Sequence, residues 1–370
     1  MNILVTGYKG FIGKNLCFYL SDLNDYKLIL ANRDNFEEII DKYASNIDFV
    51  FHLAGENRSN LDQRFIKNNV LNTKYLTEKL QNENNVCPIV FTSSTQSIED
   101  NIYGATKKEA EKIIINHSKK NNSQVFIFKL PNIFGKWAKP QYNSIVSTLI
   151  CDLINNKKTQ IWDGDKNLDL LYIDDVIHLL LECINNQRKK INIISDFNAF
   201  KTNVNYLYKI LQSFHEDRKK IEFKLDFYDL ERKLYSTYLS YLNIKECVFP
   251  LKSFADSRGS FTEFLKEPIS GQISVFNAFP NIVRGDHFHH TKVERFVVVS
   301  GKALFTFKNI VNLEKFDLKV TGDNPQIVET FPGWNHSIKN MGKEKLSGII
   351  WSNEVFNKEK PDTYVYKEKK

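Results

Sequence analysis

The sequence predicts an α/β domain built on a parallel sheet, followed by an all-β barrel. Three observations carry this. The chain opens on a short apolar strand, NILVT, that runs straight into Gly7-x2-Gly10-x2-Gly13 and a helical pattern at Phe11, Leu16 and Leu20. Further apolar runs, Tyr26 to Ala31, Phe49 to Leu53, Pro88 to Thr92 and Phe126 to Leu130, read as buried parallel strands. Much later, VRGDHFHHTKVERFVVVSG (283–301) alternates in the period of a strand and packs imidazoles and a carboxylate together. A length of 370 residues fits two domains, placed at 1–245 and 246–370.

Composition narrows the class. A hydrophobic content of 42%, with 13% aromatic, is ample for two cores. No run of eighteen apolar residues occurs and the first strand has no basic leader, so a soluble cytoplasmic protein without membrane insertion is expected. The cysteines at 17, 87, 151, 183 and 247 have no C-x-x-C spacing and read as reduced core residues. Lys and Arg total 51 against 44 Asp and Glu, a net +7, with the excess in scattered pairs such as Lys189-Lys190 and Lys219-Lys220. Scattered charge argues against nucleic acid and suits a small anionic substrate such as a nucleotide sugar.

In chain order, the glycine turn comes first. Glycines are needed where backbone must touch a pyrophosphate, and the helix N-terminus behind them offers free amides. The second strand ends in Asn32-Arg33-Asp34, about twenty residues on, where the adenosine ribose is met. A guanidinium at Arg33 would pair with a ribose phosphate, which favours NADP, while Asp34 leaves NAD open. His52-Leu53-Ala54-Gly55 closes the third strand, with His52 read as structural. The fourth strand runs into Ser93-Ser94-Thr95, and Tyr103-x3-Lys107 follows. Hydride transfer to a ketone needs a matching proton, and a tyrosine delivers one best beside a cation. Four residues apart, Tyr103 and Lys107 share a helix face. Ser94, or failing it Thr95, would hold the carbonyl. Pro131-Asn132-Ile133-Phe134-Gly135 resembles the substrate-side PxNxYG motif of extended short-chain enzymes, which implies a sugar or diphosphate contact for Asn132, and Asp174 and Asp175 read as caps of a later helix.

In the second domain, His287 and His289 alternate on one strand face and His290 points away. Glu294 returns on a second strand, and the remaining histidine of this region is His336, in FPGWNHSIKN. Three imidazoles and a carboxylate suit a borderline divalent cation. Arg284-Gly285-Asp286-His287 resembles the Arg-Gly-x-His sequence of metal-free cupin-fold epimerases, which implies that His287 could instead be a proton-abstracting base.

The glycine spacing, HLAG, SST, Y-x3-K and PNIFG resemble the Rossmann-type extended short-chain dehydrogenases/reductases. That resemblance implies cofactor contacts from Gly7, Tyr8, Lys9, Gly10, Phe11, Ile12, Gly13, Asn32, Arg33, Leu53, Ala54, Gly55, Tyr103 and Lys107. Ser94 and Tyr103 are only nine residues apart, shorter than that family's usual loop, which implies a more open sugar site. The pattern His287-x-His289-x4-Glu294-x6-Gly301, with Pro332-Gly333-x2-His336, resembles the cupin (jelly-roll) motifs, with His287, His289, Glu294 and His336 as metal ligands. DSRGSFTEF (256–264) resembles an element of cupin-fold epimerases that act on 4-keto-6-deoxy nucleotide sugars, and puts Arg258 at the substrate. Over its whole length the chain resembles the CapF family of capsular polysaccharide enzymes. The resemblance implies epimerisation at carbon 3 of a UDP-2-acetamido-2,6-dideoxy-4-hexulose by the cupin, NADPH reduction of the 4-ketone to the 6-deoxytalose sugar, bound zinc and a homodimer. A single-activity reductase with a structural, dimerising cupin is the alternative.

Overall fold

The computed structural model describes the chain except residues 24, 160, 162, 186–188, 221–227, 251–252, 257–258, 263–271, 355–358 and 367–370. Arg258 lies outside the described residues. Two units form, Met1–Thr148 with Asp165–Val204, and Leu149–Gly164 with Asn205–Lys370.

The apolar runs of the first unit become β1 (Asn2–Thr6), β2 (Lys27–Ala31), β3 (Phe49–His52), β4 (Ile89–Ser94), β5 (Val125–Leu130), β6 (Asn132–Phe134), β7 (Asn167–Tyr172), β8 (Ile191–Ile194) and β9 (Phe200–Asn203). Six of them make a parallel sheet in the order β2-β1-β3-β4-β5-β8. The chain steps outward from β1 to β2 and then crosses back to β3. Loops leaving β1 and β3 therefore diverge, and that switch point is where such sheets bind ligands. Burial on both faces explains the unbroken apolar character of these strands: Ile3, Leu4, Val5, Val50, Phe51, Ile89 and Val90 are all inaccessible. On one face Leu76, Leu80, Ala110 and Ile114 pack against Leu4, Val50, Ile89 and Ile127, each fully buried aliphatic contributing about 1.5–3 kcal/mol. A small sheet, β6-β7-β9, sets Asn132 opposite Leu170.

Helix α1 (Phe11–Asp22) follows the glycine turn, α2 (Ile102–Asn121) carries Tyr103 and Lys107, and α3 (Ile173–Glu182) follows β7. Asp174 does not cap α3. Tyr172 occupies the cap position, and Asp174 lies inside the first turn, buried, 2.7 Å from the Lys136 Nζ and accepting from the Tyr19 hydroxyl at 2.9 Å.

The second unit is antiparallel among its described strands: β10 (Val248–Pro250), β11 (Ser253–Asp256), β12 (Gly259–Thr262), β13 (Gln272–Ala278), β14 (Val283–Phe288), β15 (Glu294–Ser300), β16 (Lys302–Asn309), β17 (Lys315–Thr321), β18 (Gln326–Glu329), β19 (Trp334–Asn340), β20 (Leu346–Ser352) and β21 (Tyr364–Val365). Two five-stranded sheets run β10-β18-β15-β20-β13 and β17-β16-β19-β14-β21. Ring contacts of Phe296 with Phe305 (5.4 Å) and His336 (6.3 Å) bridge them. Helix α4 (Asp229–Ser240), which holds the tyrosine-rich YSTYLSY stretch, packs on this unit. Its Tyr235 hydroxyl donates to Glu329 Oε1 at 3.1 Å, and Arg218 and Arg295 each donate Nε to the same carboxylate at 3.0 Å. Two guanidiniums and a phenol around one buried carboxylate satisfy charges that would be costly alone.

Candidate functional site: a dinucleotide cleft and a histidine-carboxylate centre

A cleft of about 1060 Å³ opens at the C-terminal ends of β1 to β5. Backbone sterics at its floor explain the glycines. Gly7 has φ +71°, and a Cβ there would meet the Ala54 backbone at 2.8 Å. At Gly13 a Cβ would come within 2.3 Å of the Gly7 oxygen, so helix and strand close only without one. Gly7, Lys9, Gly10, Phe11, Ile12, Gly13, Asn32, Arg33, Leu53, Ala54 and Gly55 all line the cleft, as do Ser94, Tyr103, Lys107 and Asn132. Tyr8 does not; its hydroxyl stands 3.5 Å from Asn32 Nδ2, beside the turn.

The cleft's reactive groups converge from two elements. Ser94 ends β4, and its hydroxyl accepts from Gln96 N at 3.1 Å. Burial raises the Tyr103 pKa, opposed by the Ser94 hydroxyl and reinforced by the charge of Glu99, so Tyr103 holds its proton at neutral pH. Lys107 is fully buried and its ammonium donates to the Thr92 carbonyl at 3.0 Å. Burial brings its pKa down to about 8, with Glu111 opposing. Glu111 in turn accepts from Ser93 Oγ at 2.5 Å and pairs with Lys129 at 3.1 Å. Ser93 is thereby committed to the α2 side, leaving Ser94 as the hydroxyl beside Tyr103. His52 is structural: Thr6 and Thr73 hydroxyls hold its two nitrogens at 2.8 Å each, and burial pushes its pKa down to about 3.

In the second unit His287, His289, Glu294 and His336 place one ligand atom each within 4.8 Å of one another. The register makes this possible. His287 on β14 stands opposite His336 on β19, after a bulge between Gly285 and His287. Gly285 has φ +88°, and a Cβ there would meet the His336 carbonyl oxygen at 2.9 Å. Glu294 comes from β15 in the other sheet, its amide held by Thr330 Oγ1 at 3.0 Å. His290 turns away, onto Phe288 and Tyr364. The residues fit a divalent cation. Nε2 of His289 and of His336 approach Glu294 Oε2 to 3.2 and 3.3 Å, yet off the hydrogen-bonding direction, so these buried nitrogens are left without partners. Burial, then repulsion by His336 and His289, takes His287 down to about 4, which leaves its lone pair available near neutral pH. Burial would raise Glu294, but the two adjacent imidazoles outweigh it and hold the carboxyl well below its usual range.

Residues 3–194 match the NAD dependent epimerase/dehydratase family, and residues 254–364 the polysaccharide biosynthesis C-terminal domain. The chain is 36% identical over 364 residues, 98% of both chains, to UDP-2-acetamido-2,6-beta-L-arabino-hexul-4-ose reductase of Pseudomonas aeruginosa. It is 35% identical to crystalline CapF, the capsular polysaccharide assembling protein of Staphylococcus aureus, over 99% of this chain and 100% of that one, with a TM-score of 0.65. The chain belongs to the CapF family. UDP-glucose 4-epimerase of Thermotoga maritima, 22% identical with a TM-score of 0.53 over 60% of this chain and 84% of its own, shares the fold of the first part.

Beside the cleft, this CapF-family chain builds a polar cluster that its sequence does not announce. Glu56, directly after HLAG and buried, accepts from Arg33 Nη2 at 2.8 Å and Asn68 Nδ2 at 2.9 Å on one oxygen, and from the Tyr142 hydroxyl at 2.8 Å on the other. Asn68 and Asn69 sit in a π-helical turn (Ile66–Leu71) that turns both amides toward Glu56. The polar run Glu56-Asn57-Arg58 after a buried strand was the available signal. Its partners, 12 to 86 residues away, were not.

Proposed function

We propose that the chain is a nucleotide-sugar reductase of polysaccharide precursor synthesis that also epimerises its substrate. The part up to residue 245 reduces the 4-ketone with NADPH to UDP-2-acetamido-2,6-dideoxy-L-talose. The cupin-like part from 246 first inverts carbon 3 of the UDP-2-acetamido-2,6-dideoxy-4-hexulose. The enzyme acts as a cytoplasmic homodimer. The observation that carries the reading is the convergence of Ser94, Tyr103 and Lys107 with the glycine turn in one cleft. The activity named for the Pseudomonas relative supports it.

NADPH, when bound, supplies the hydride. Ser94 orients the ketone oxygen, and Tyr103 delivers its proton there as negative charge develops. Burial makes Tyr103 a weaker acid than a free phenol, the reverse of the shift a neighbouring cation would give, but the transfer stays downhill because the developing alkoxide is a much stronger base than the phenolate left behind. Lys107 keeps a positive charge beside them, and Arg33 at the end of β2 favours the 2′-phosphate of NADPH. Asn132, and by resemblance Arg258, contact the sugar nucleotide. His287, His289, Glu294 and His336 would hold zinc, which when bound supplies positive charge to an oxygen that becomes negative as the neighbouring carbon loses its proton.

Proton NMR of the full chain with the 4-keto sugar in heavy water tests this. Tyr103→Phe should keep deuterium exchange at carbon 3 while NADPH consumption stops, and His287→Ala should lose both metal and exchange while still binding NADPH. Exchange at the normal rate in His287→Ala would defeat the division of labour. Reduction without exchange in the unaltered enzyme would leave a single-activity reductase.

A further inference from the structure

The segment 361–365 is bound to the loop that carries His289 through both side chains and backbone. The Asp362 carboxylate sits in three successive amides: His290 N reaches Oδ1 at 2.9 Å, and Thr291 N and Lys292 N reach Oδ2 at 2.7 and 2.6 Å. The Thr291 hydroxyl adds a fourth bond at 2.8 Å. Three consecutive N–H groups around one anion form a backbone nest. Lys292 Nζ grips the same segment, donating to Thr363 Oγ1 at 2.6 Å and the Pro361 carbonyl at 3.1 Å. β21 pairs with β14 at His287↔Val365 and Phe288↔Tyr364. Asp362 holds φ +37°, a left-handed conformation that aspartate tolerates better than most residues.

The decisive contact is main-chain. His289 Nδ1 lies 2.6 Å from the Asp362 carbonyl oxygen. A carbonyl only accepts, so Nδ1 carries the proton and Nε2 is the nitrogen left for a ligand. That Nε2 stands 3.2 Å from Glu294 Oε2 with no hydrogen bond made, a close approach that a cation bound by both would relieve. Ligating imidazoles elsewhere are fixed in this way by a partner on the other nitrogen.

We infer that Asp362 is a positioning residue of the metal centre: its carbonyl fixes the tautomer and rotation of His289, and its carboxylate anchors the loop that aims His289 at the cation. This rests on reading His287, His289, Glu294 and His336 as a metal site. Zinc affinity of the full-length protein, measured by chelator competition, tests it. Asp362→Ala should weaken zinc binding by roughly 10–100-fold, with NADPH binding unchanged. Asp362→Asn, which retains one acceptor oxygen for the nest, should fall between. Equal zinc affinity in Asp362→Ala and the unaltered protein, with loss in His289→Ala, would overturn the role of Asp362 and leave the metal site standing. If the unaltered protein binds no divalent metal, both readings fall. Should Asp362→Ala fail to fold, nitrogen NMR of the unaltered, metal-free protein decides: His289 must show the Nδ1–H tautomer, and an Nε2–H tautomer refutes the inference. A merely structural Asp362 would alter the melting temperature and leave that tautomer free.

Discussion

Tyr103 and Lys107 are shifted in opposite senses by the same burial. Tyr103 is raised and keeps its proton, while Lys107 falls to about 8. Reduction should therefore lose rate as pH rises through about 8, where Lys107 sheds its charge and Tyr103 is still protonated. A pH profile of NADPH consumption reads this, and Lys107→Arg should move the falling limb upward. Stability runs the other way. Below about 8 Lys107 is charged in folded and unfolded chains alike, so the fold bears the cost of burying the charge. Between about 8 and 10.5 the unfolded chain binds more protons than the folded one, so stability rises with pH. Tyr103→Phe should cut kcat by roughly 10²–10⁴-fold, the usual worth of a positioned proton donor, with a smaller effect on NADPH affinity. Both residues were legible because their relation is local, one turn of one helix. Asp174 was misread because an acid near a helix start looks like a cap, and only the fold brings Lys136 to it across 38 residues.

At the scale of elements, that ion pair ties the turn after β6 to α3, with side chains 1% and 5% exposed. Lys136→Met would strand the Asp174 carboxylate in the core, and chemical denaturation should show a loss of about 3–5 kcal/mol. Adding Asp174→Leu should recover much of it. Gly13→Ala tests the junction of α1 and β1 in the same way. Its methyl would need the space 2.3 Å from the Gly7 oxygen, so the helix must shift, at about 1–3 kcal/mol. Calorimetric titration should then show weakened NADPH binding, since the helix N-terminus faces the cleft. These strand, turn and helix units were readable because period and glycine spacing are properties of short windows. The switch from β1 to β3 and the bulge at Gly285 were not, since both depend on which strands pair.

For the molecule as a whole, the succession of a parallel α/β part and an antiparallel part was legible in the change of pattern along the chain. The packing of Arg218 and Tyr235 on Glu329 was not, because those contacts span 111 and 94 residues. If zinc occupies the histidine centre, free zinc at a hundred times its Kd should stabilise the folded chain by about 2.7 kcal/mol, and a thermal melt with and without chelator checks it. Glu56 has a further consequence at this scale. A chain of net +7 that drew in an anionic cofactor by charge alone would bind it far more weakly in salt. Arg33, however, already has a carboxylate partner at 2.8 Å. Arg33 therefore meets a phosphate as a charge that Glu56 already partly neutralises, so salt screens both sides of the equilibrium. A plot of log Kd for NADPH against log salt should thus be shallow, and Glu56→Gln should steepen it.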